Sequence, residues 1–263
     1  MKLVNVKGIV VRSVDYGERD KILTVYTEEL GLITVTANGS RSLRSRSLVA
    51  TELFCYSQYV LTESKDRYHI KEIDLIESFF DLRTDIEKLT LAGYVCEVIA
   101  HVGTENMSDP PLLRLTLNTL FAIAKEKAPR AIIKGAFEMR AAAILGFEPD
   151  LAVCEHCGEE GERVVLDVMN GAVTCERCRE ELADTVAEEV FDPMHPTISA
   201  ILTDPARAAL FFVMRSPLEK LLSFKLEDEA DIDSFSYAAE IYLINHLETS
   251  FKSLAFYKQL LKG

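Results

Sequence analysis

Two cysteine pairs with the spacing of a metal site constrain this chain more than any other feature of its sequence. Cys154/Cys157 and Cys175/Cys178 are both CxxC pairs, and seventeen residues separate them. A CxxC turn directs two thiols at one point, and two such pairs at this spacing are typical of a four-cysteine zinc centre. Asn170-Gly171 lies between two β-prone runs and predicts a tight hairpin turn that brings the pairs together. The sequence therefore predicts one zinc ion held by four thiolates.

The zinc is predicted to be structural. Four thiolates fill a tetrahedral shell and leave no position for water or substrate, whereas thioredoxin-like redox sites use a single CxxC pair. His156, inside the first pair, is interpreted as an exposed polar residue and not as a ligand. The segment 154–178 holds six acidic and two basic residues, which disfavours a phosphate-binding finger. A zinc-dependent hydrolase or deaminase remains an alternative, and it would need an open metal position.

The other two cysteines and the apolar pattern indicate the compartment. Cys55 and Cys96 stand alone in apolar stretches and are predicted to be buried small hydrophobic residues. Six cysteines in 263 residues are too few for a disulfide scaffold, which suits a reducing cytoplasm. No window approaches eighteen uninterrupted apolar residues, so no membrane partner is predicted. Motifs that cradle nucleotide phosphates, such as GxxxxGK[ST] and GxGxxG, are absent from the sequence.

Charge is distributed unevenly along the chain. Residues 1–80 hold eleven basic and eleven acidic residues, so the rest of the chain carries the whole net charge of −13. No acidic residue occurs between Leu30 and Thr51, and this stretch contains Arg41, Arg44 and Arg46 among serines. Arginines and small hydroxyls suit phosphate contact. This loop is the best candidate in the sequence for binding a polyanion.

The period of the apolar residues changes near residue 80. Short β-prone runs occur before it, at 2–12, 22–27, 32–37, 55–62 and 68–79, and residues 13–21 are expected to form a turn. Five such strands match a Greek-key barrel of the OB type, although their periodicity fits an SH3-like barrel as well. Helical spacing follows, and a second helix is expected to open at Asp109-Pro110 with an apolar stripe that reaches Phe121. The other helices are expected near 81–102, 129–145, 197–202, 204–214, 217–222, 233–247 and 252–261.

The predicted fold is therefore α+β and multidomain. An N-terminal five-stranded OB-type barrel occupies residues 1–80. An all-helical domain occupies residues 81–263, with the zinc module inserted at 150–182.

Three segments of the chain resemble one known family. VVRSVDYGERDKILTVYTEELGLITVTANGSRSLRSR (10–46), LGFEPDLAVCEHCG (145–158) and SFKSLAFYKQLL (250–261) are similar to segments of the RecO family of DNA-repair and recombination mediators. The resemblance implies a non-enzymatic protein with an OB domain and a zinc-bearing helical domain. It implies binding to single- and double-stranded DNA and annealing of complementary strands. It also implies partnership with RecR, contact with single-stranded-DNA-binding protein and help in loading recombinase on coated strands.

The resemblance also implies a DNA-contacting set and a cellular site. By motif position the set consists of Arg12, Arg19, Lys21, Arg41, Arg44 and Arg46. Asn38 stands where the family often has lysine, which removes one expected positive charge. A cytoplasmic protein associated with the nucleoid is expected. The other alternative that the residues leave open is a zinc-stapled protein-interaction scaffold without direct DNA binding.

Overall fold

The structure, a computed structural model, describes residues 2–42, 48–64, 67–161, 163–186 and 198–262. The chain forms two compact units, one of Met1–Lys125 with Phe251–Gly263 and one of Glu126–Ser250. The first is strand-rich and the second mainly helical, so the mixed α+β class is confirmed. The predicted domain boundary at residue 80 stays a prediction.

Five strands of the first unit close into a barrel. They are β1 (Lys2–Tyr16), β2 (Asp20–Thr27), β3 (Gly31–Ala37), β4 (Tyr56–Ser64) and β5 (Arg67–Glu77). Their order around the barrel is β1-β2-β3-β5-β4, and every pair is antiparallel except β3–β5. An irregularity between Val10 and Arg12 bends β1, so its first half pairs with β4 and its second half with β2.

Alternation along these strands fills the barrel. Alternate side chains point inward, and the inward set is buried: Val6, Val10, Leu23, Val25, Ile33, Val35, Tyr59 and Leu61. The expected turn at 13–21 is shorter than predicted, because β1 continues to Tyr16 and β2 begins at Asp20. The strand pairing therefore extends into a polar stretch that propensity alone assigns to a turn.

Helices complete the first unit. A short 3-10 helix (Phe80–Arg83) precedes α1 (Ile86–Val102) and α2 (Pro110–Ala124), and helix α7 (Lys252–Leu260) packs on α1. Helix α1 begins later than the predicted residue 81, because the Asp85 carboxylate accepts hydrogen bonds from the first-turn N–H groups and caps it. The segment after α1 lies on the β2–β3 turn, where the Leu32 N–H donates to the Thr104 carbonyl.

The second unit contains a four-stranded sheet, of which the sequence predicted only the hairpin around Asn170-Gly171. Its elements are α3 (Arg130–Ile144), β6 (Asp150–Cys154), β7 (Arg163–Asp167), β8 (Ala172–Cys175), α4 (Glu176–Val186), β9 (Ser199–Thr203), α5 (Asp204–Arg215), a 3-10 helix (Leu218–Lys220) and α6 (Glu229–His246). The four strands form a sheet in the order β6-β8-β7-β9. The helix expected near 197–202 is wrong, since residues 199–202 of that range belong to strand β9, which pairs with β7. The expectation of an all-helical second domain is corrected accordingly.

A buried charge cluster lies between α3 and α6. The Lys134 ammonium is 3.0 Å from the Glu138 carboxylate and 2.9 Å from that of Glu240, and all three side chains are at most 9% exposed. Burial alone would lower the pKa of Lys134, but the two carboxylates outweigh it and raise the pKa. The helices approach closely at Gly135, where a Cβ would lie 2.6 Å from the Phe235 ring.

Candidate nucleic-acid interface and candidate metal centre

One end of the barrel joins the β1–β2 turn to the segment that leaves β3. Tyr16 pairs with Asp20 and Lys21 pairs with Ala37, so the turn and the end of β3 are neighbours. The Asp20 carboxylate accepts a 2.7 Å hydrogen bond from the Gly39 N–H. The start of the acid-free loop is therefore fixed to the β1–β2 turn.

Arg41 strengthens this connection. Its guanidinium donates to the Gly17 carbonyl at 2.9 Å and lies 3.1 Å from the Asp15 carboxylate, and its backbone N–H donates to the Arg19 carbonyl at 3.0 Å. The side chain remains partly exposed. Arg41 thus holds the loop and the turn together and neutralises the carboxylate beside it.

The structure brings three of the six predicted DNA-contacting residues to one region of the surface. Arg12 is exposed on the outer face of β1, Arg19 is exposed in the β1–β2 turn, and Arg41 follows β3. Arg44 and Arg46 lie outside the described residues. Arg19 and Arg41 therefore lie at the β1–β2 end of the barrel, and Arg12 lies further along the outer face of β1, opposite Thr24.

Lys21 is placed differently. Its side chain is 9% exposed, and its ammonium lies 2.6 Å from the Glu52 carboxylate. It has the same parity on β2 as the core residues Leu23 and Val25, so it faces inward. The alternation along β2 predicts from the sequence alone that Lys21 faces inward. Its assignment as a DNA contact rested instead on its position in the family motif. The charge of Lys21 is used within the barrel, which does not suit direct contact with DNA.

The tyrosines of the barrel separate into buried and exposed. Tyr26, Tyr59 and Tyr68 are buried, and burial raises the pKa of the first two. Tyr56 is half-buried, whereas Tyr16 at the end of β1 is 58% exposed. Of these five tyrosines, Tyr16 is the one that presents its ring to solvent.

The four paired cysteines meet in the second unit. Cys154 ends β6, Cys157 follows in the turn, Cys175 ends β8 and Cys178 lies in the first turn of α4. Their sulfur atoms all lie within 4.8 Å of one another, and those of Cys157 and Cys175 are 3.8 Å apart. A tetrahedral ion with metal–sulfur bonds of about 2.3 Å needs sulfur atoms about 3.8 Å apart. The four thiols therefore fit one tetrahedral metal ion.

Local backbone geometry places these thiols. Gly158 has a φ of 72° and donates its N–H to the Cys154 carbonyl at 2.8 Å, which closes the first CxxC turn. The β7–β8 connection spans four residues, 168–171, and is longer than the predicted two-residue turn. The Asp167 carboxylate accepts hydrogen bonds from the N–H groups of Met169 and Asn170, and Gly171 adopts a φ of 66°. The hairpin nevertheless returns the second pair to the first, as predicted.

Electrostatics of the cluster favour a cation. Burial raises the pKa of Cys154, but hydrogen bonds from backbone groups of Cys175, Cys157 and His156 outweigh it and lower the pKa to about 6. Hydrogen bonding to the Cys175 thiol, then burial, raises the pKa of Cys178 to about 12. A second thiolate beside the first is unfavourable until a metal ion neutralises the charge.

The structure also places His156 and the two isolated cysteines, Cys55 and Cys96. His156 is outside the four-cysteine cluster and lies 3.5 Å from the Glu155 carboxylate. Cys55 and Cys96 are buried as predicted, and burial raises the pKa of both thiols. In the part of the chain that the structure describes, no helix is long and apolar enough to cross a membrane.

Comparisons with known proteins agree along the whole chain. The sequence model of the recombination protein O N-terminal domain matches residues 1–79, and that of the C-terminal domain matches residues 83–255. The DNA repair protein RecO of Acetivibrio thermocellus is 30% identical over 262 residues, which cover 99% of this chain and 98% of the relative. The DNA repair protein RecO of Caldicellulosiruptor bescii is 32% identical over 69% of this chain and 74% of the relative. The protein of the same name from Caldanaerobacter subterraneus is 25% identical over 99% of both chains.

Proposed function

The chain belongs to the RecO family of DNA repair proteins, and on that premise we propose that it is a DNA-binding recombination and repair mediator without catalytic activity. It binds single- and double-stranded DNA, anneals complementary strands and helps to load recombinase on strands coated by single-stranded-DNA-binding protein. The observation that carries the proposal is the match of both halves of the chain to the family's two domain models.

We propose that the barrel is an OB fold and that it holds the DNA-binding surface. The closed order β1-β2-β3-β5-β4 supports this assignment, and OB folds bind oligonucleotides on the face of strands 2 and 3 and on the adjoining loops. The proposed surface contains Arg12, Arg19 and Arg41, together with Arg44 and Arg46 of the same acid-free stretch. Lys21 is proposed to anchor Glu52 and to support the barrel wall.

Annealing needs no catalytic residue. A basic surface lowers the repulsion between the phosphates of two strands and leaves their bases free to pair. The rest of the chain carries the net charge of −13, which repels DNA and directs it to the arginines. The same physics predicts that binding weakens steeply as salt rises.

We propose that the four cysteines hold one structural zinc ion. The donor set contains only thiols, three of the four are buried, and their spacing fits a closed tetrahedral site. Such an ion would link β6, β8 and α4 and supply no chemistry to a substrate. A cobalt-substituted sample should give an all-sulfur tetrahedral spectrum without exchangeable water. A spectrum with bound water would instead favour the hydrolase alternative.

The proposed protein partners are RecR and single-stranded-DNA-binding protein, and the proposed site of action is the cytoplasm and nucleoid. These partners rest on family membership. In an analytical ultracentrifuge, a mixture of the full chain with either partner should contain a complex that sediments faster than each protein alone. If the two proteins sediment independently in both mixtures, neither is a partner of this chain.

The DNA-binding surface is tested by charge removal at two places. One variant carries Arg41→Ala, Arg44→Ala and Arg46→Ala. The matched control carries Lys220→Ala, Lys225→Ala and Lys252→Ala, which removes three exposed positive charges elsewhere. Binding to single-stranded and duplex oligonucleotides, and annealing, are measured at one salt concentration.

The arginine variant should lose most of its single-strand affinity and annealing, whereas the lysine variant should retain both. Equal losses in the two variants would mean that net charge matters and the assigned surface does not. No DNA binding by the parent protein would instead favour the protein-interaction scaffold.

A further inference from the structure

The outer face of strands β1 and β2 combines an exposed aromatic ring with apolar neighbours. Arg12, Val14 and Tyr16 alternate along β1 and are all exposed. Val14 pairs with Ile22 of β2, and directly paired residues of an antiparallel sheet share one face. Tyr16 and Val14 are 58% and 45% exposed, although the same barrel buries most of its other tyrosines. Val14 and Tyr16 thus form an exposed apolar strip on β1, with Arg12 before it and Arg19 in the turn after it.

The strip continues onto β3 without an acidic residue. Ile22 pairs with Thr36, and Thr24 pairs with Thr34, so the outer face of β3 adds hydroxyl and methyl groups. The outward acid on β2 is Asp20, whose carboxylate already accepts the Gly39 N–H. Asp20 is also the cross-strand partner of Tyr16, so one carboxylate borders the ring, whereas the outer face of β3 presents no carboxylate to an unpaired base.

Arginines flank the strip along its length. Arg12 lies on the same face of β1, about 13 Å along the strand from Tyr16. Arg19 follows in the β1–β2 turn, and Arg41 lies against that turn and neutralises Asp15. Surfaces that bind single-stranded nucleic acid combine cations that track the backbone with aromatic rings on which bases stack.

We infer that Tyr16 is a base-stacking platform for single-stranded DNA, with Val14 and Ile22 as the apolar floor beside it. The inference rests on the proposed DNA binding and adds a specific consequence to it. Arginines that contact phosphates act on single strands and duplexes alike, whereas a stacking platform needs an unpaired base. Tyr16 therefore adds affinity for single strands and does not contribute to duplex binding.

The first experiment compares Tyr16→Ala with Tyr16→Phe in the full chain. Tyr16→Ala should weaken single-strand binding by about five- to a hundredfold, and Tyr16→Phe should keep affinity within about twofold because the ring is retained. Duplex affinity should change by less than about twofold in both variants. Tyr237→Ala is the matched control, since Tyr237 is 54% exposed in the second unit and should leave both affinities unchanged.

A second experiment reads the contact directly. The chain contains no tryptophan, so Tyr16→Trp introduces a single indole fluorophore. Its emission should be quenched by single-stranded DNA and not by duplex, whereas the emission of Tyr237→Trp should respond to neither. Unchanged single-strand affinity in Tyr16→Ala, equal losses on both substrates, or no quenching would overturn the inference. If the parent protein binds no DNA, the proposed function fails first.

Discussion

Replacing Cys175 with serine should destabilise the second unit. The Cys175 sulfur lies 3.8 Å from that of Cys157, and its backbone N–H donates to the Cys154 sulfur. It ends β8 and directly precedes α4, so it connects the hairpin to the helix. A serine hydroxyl at this position is a poor ligand for zinc, because zinc in closed structural sites prefers thiolate and imidazole.

The expected loss follows from the number of ligands. A structural zinc ion stabilises small modules by about 10–16 kcal/mol, so one ligand of four represents about 2.5–4 kcal/mol. Domains have total stabilities of only about 5–15 kcal/mol. For a unit of this size, each kcal/mol shifts the melting temperature by about 3–5 °C, so Cys175→Ser should lower it by about 8–20 °C.

Scanning calorimetry and metal analysis of the full chain test this prediction. His156→Asn is the matched control, because His156 lies within the same CxxC turn but outside the thiol cluster. It should keep one zinc ion and the parent melting temperature. Chelation of the parent protein removes all four metal–ligand bonds and should lower the melting temperature at least as much as Cys175→Ser. A serine variant that retains full zinc content and melts within about 2 °C of the parent would refute the reasoning.

Two further substitutions test the packing of each unit by urea unfolding. Lys134→Met leaves two buried carboxylates without their cation and should cost about 3–5 kcal/mol at pH 7. Because folding raises the pKa of Lys134, its charge stabilises the folded state fully at pH 7, and this stabilisation should be lost as pH rises above 10.5. The difference in unfolding free energy between the parent and Lys134→Met should therefore shrink above that pH, and a constant difference would contradict the prediction. Gly31→Ala should cost about 2 kcal/mol or more, since its φ is 65° and a Cβ would lie 2.2 Å from the Thr104 carbonyl oxygen. Gly39→Ala, with a φ of 64° and nothing within 4 Å, should cost less, and equal losses would show that the contact has no effect.

Local chemistry explains which features the sequence predicts well. The four thiols meet because CxxC spacing and a hairpin are local properties of the chain. Strands β2 and β3 agree with prediction within about two residues, because each shows the alternation of a half-buried strand. Motif and period therefore suffice wherever the partners of a residue lie nearby in sequence.

Long-range pairing explains what was missed. Strand β9 has only five residues, and its polar–apolar pattern is too short to separate strand from helix without knowledge of β7. Lys21 has the parity of a core residue, but its partner Glu52 lies thirty-one residues later. The outward strip around Tyr16 also depends on the register of three strands. Such features become visible only when the pairing is known.

The salt dependence of single-strand binding tests the central claim most directly. One phosphate contact for each of Arg12, Arg19, Arg44 and Arg46 predicts a slope of log affinity against log salt of about −2.8, at about −0.7 per contact, and the slope reaches about −3.5 if Arg41 exchanges Asp15 for a phosphate. Replacing Arg12 and Arg19 with alanine should reduce the magnitude of the slope by about 1.4. A parent slope near zero, or a variant with the parent slope, would contradict a DNA-binding surface at the β1–β2 end of the barrel.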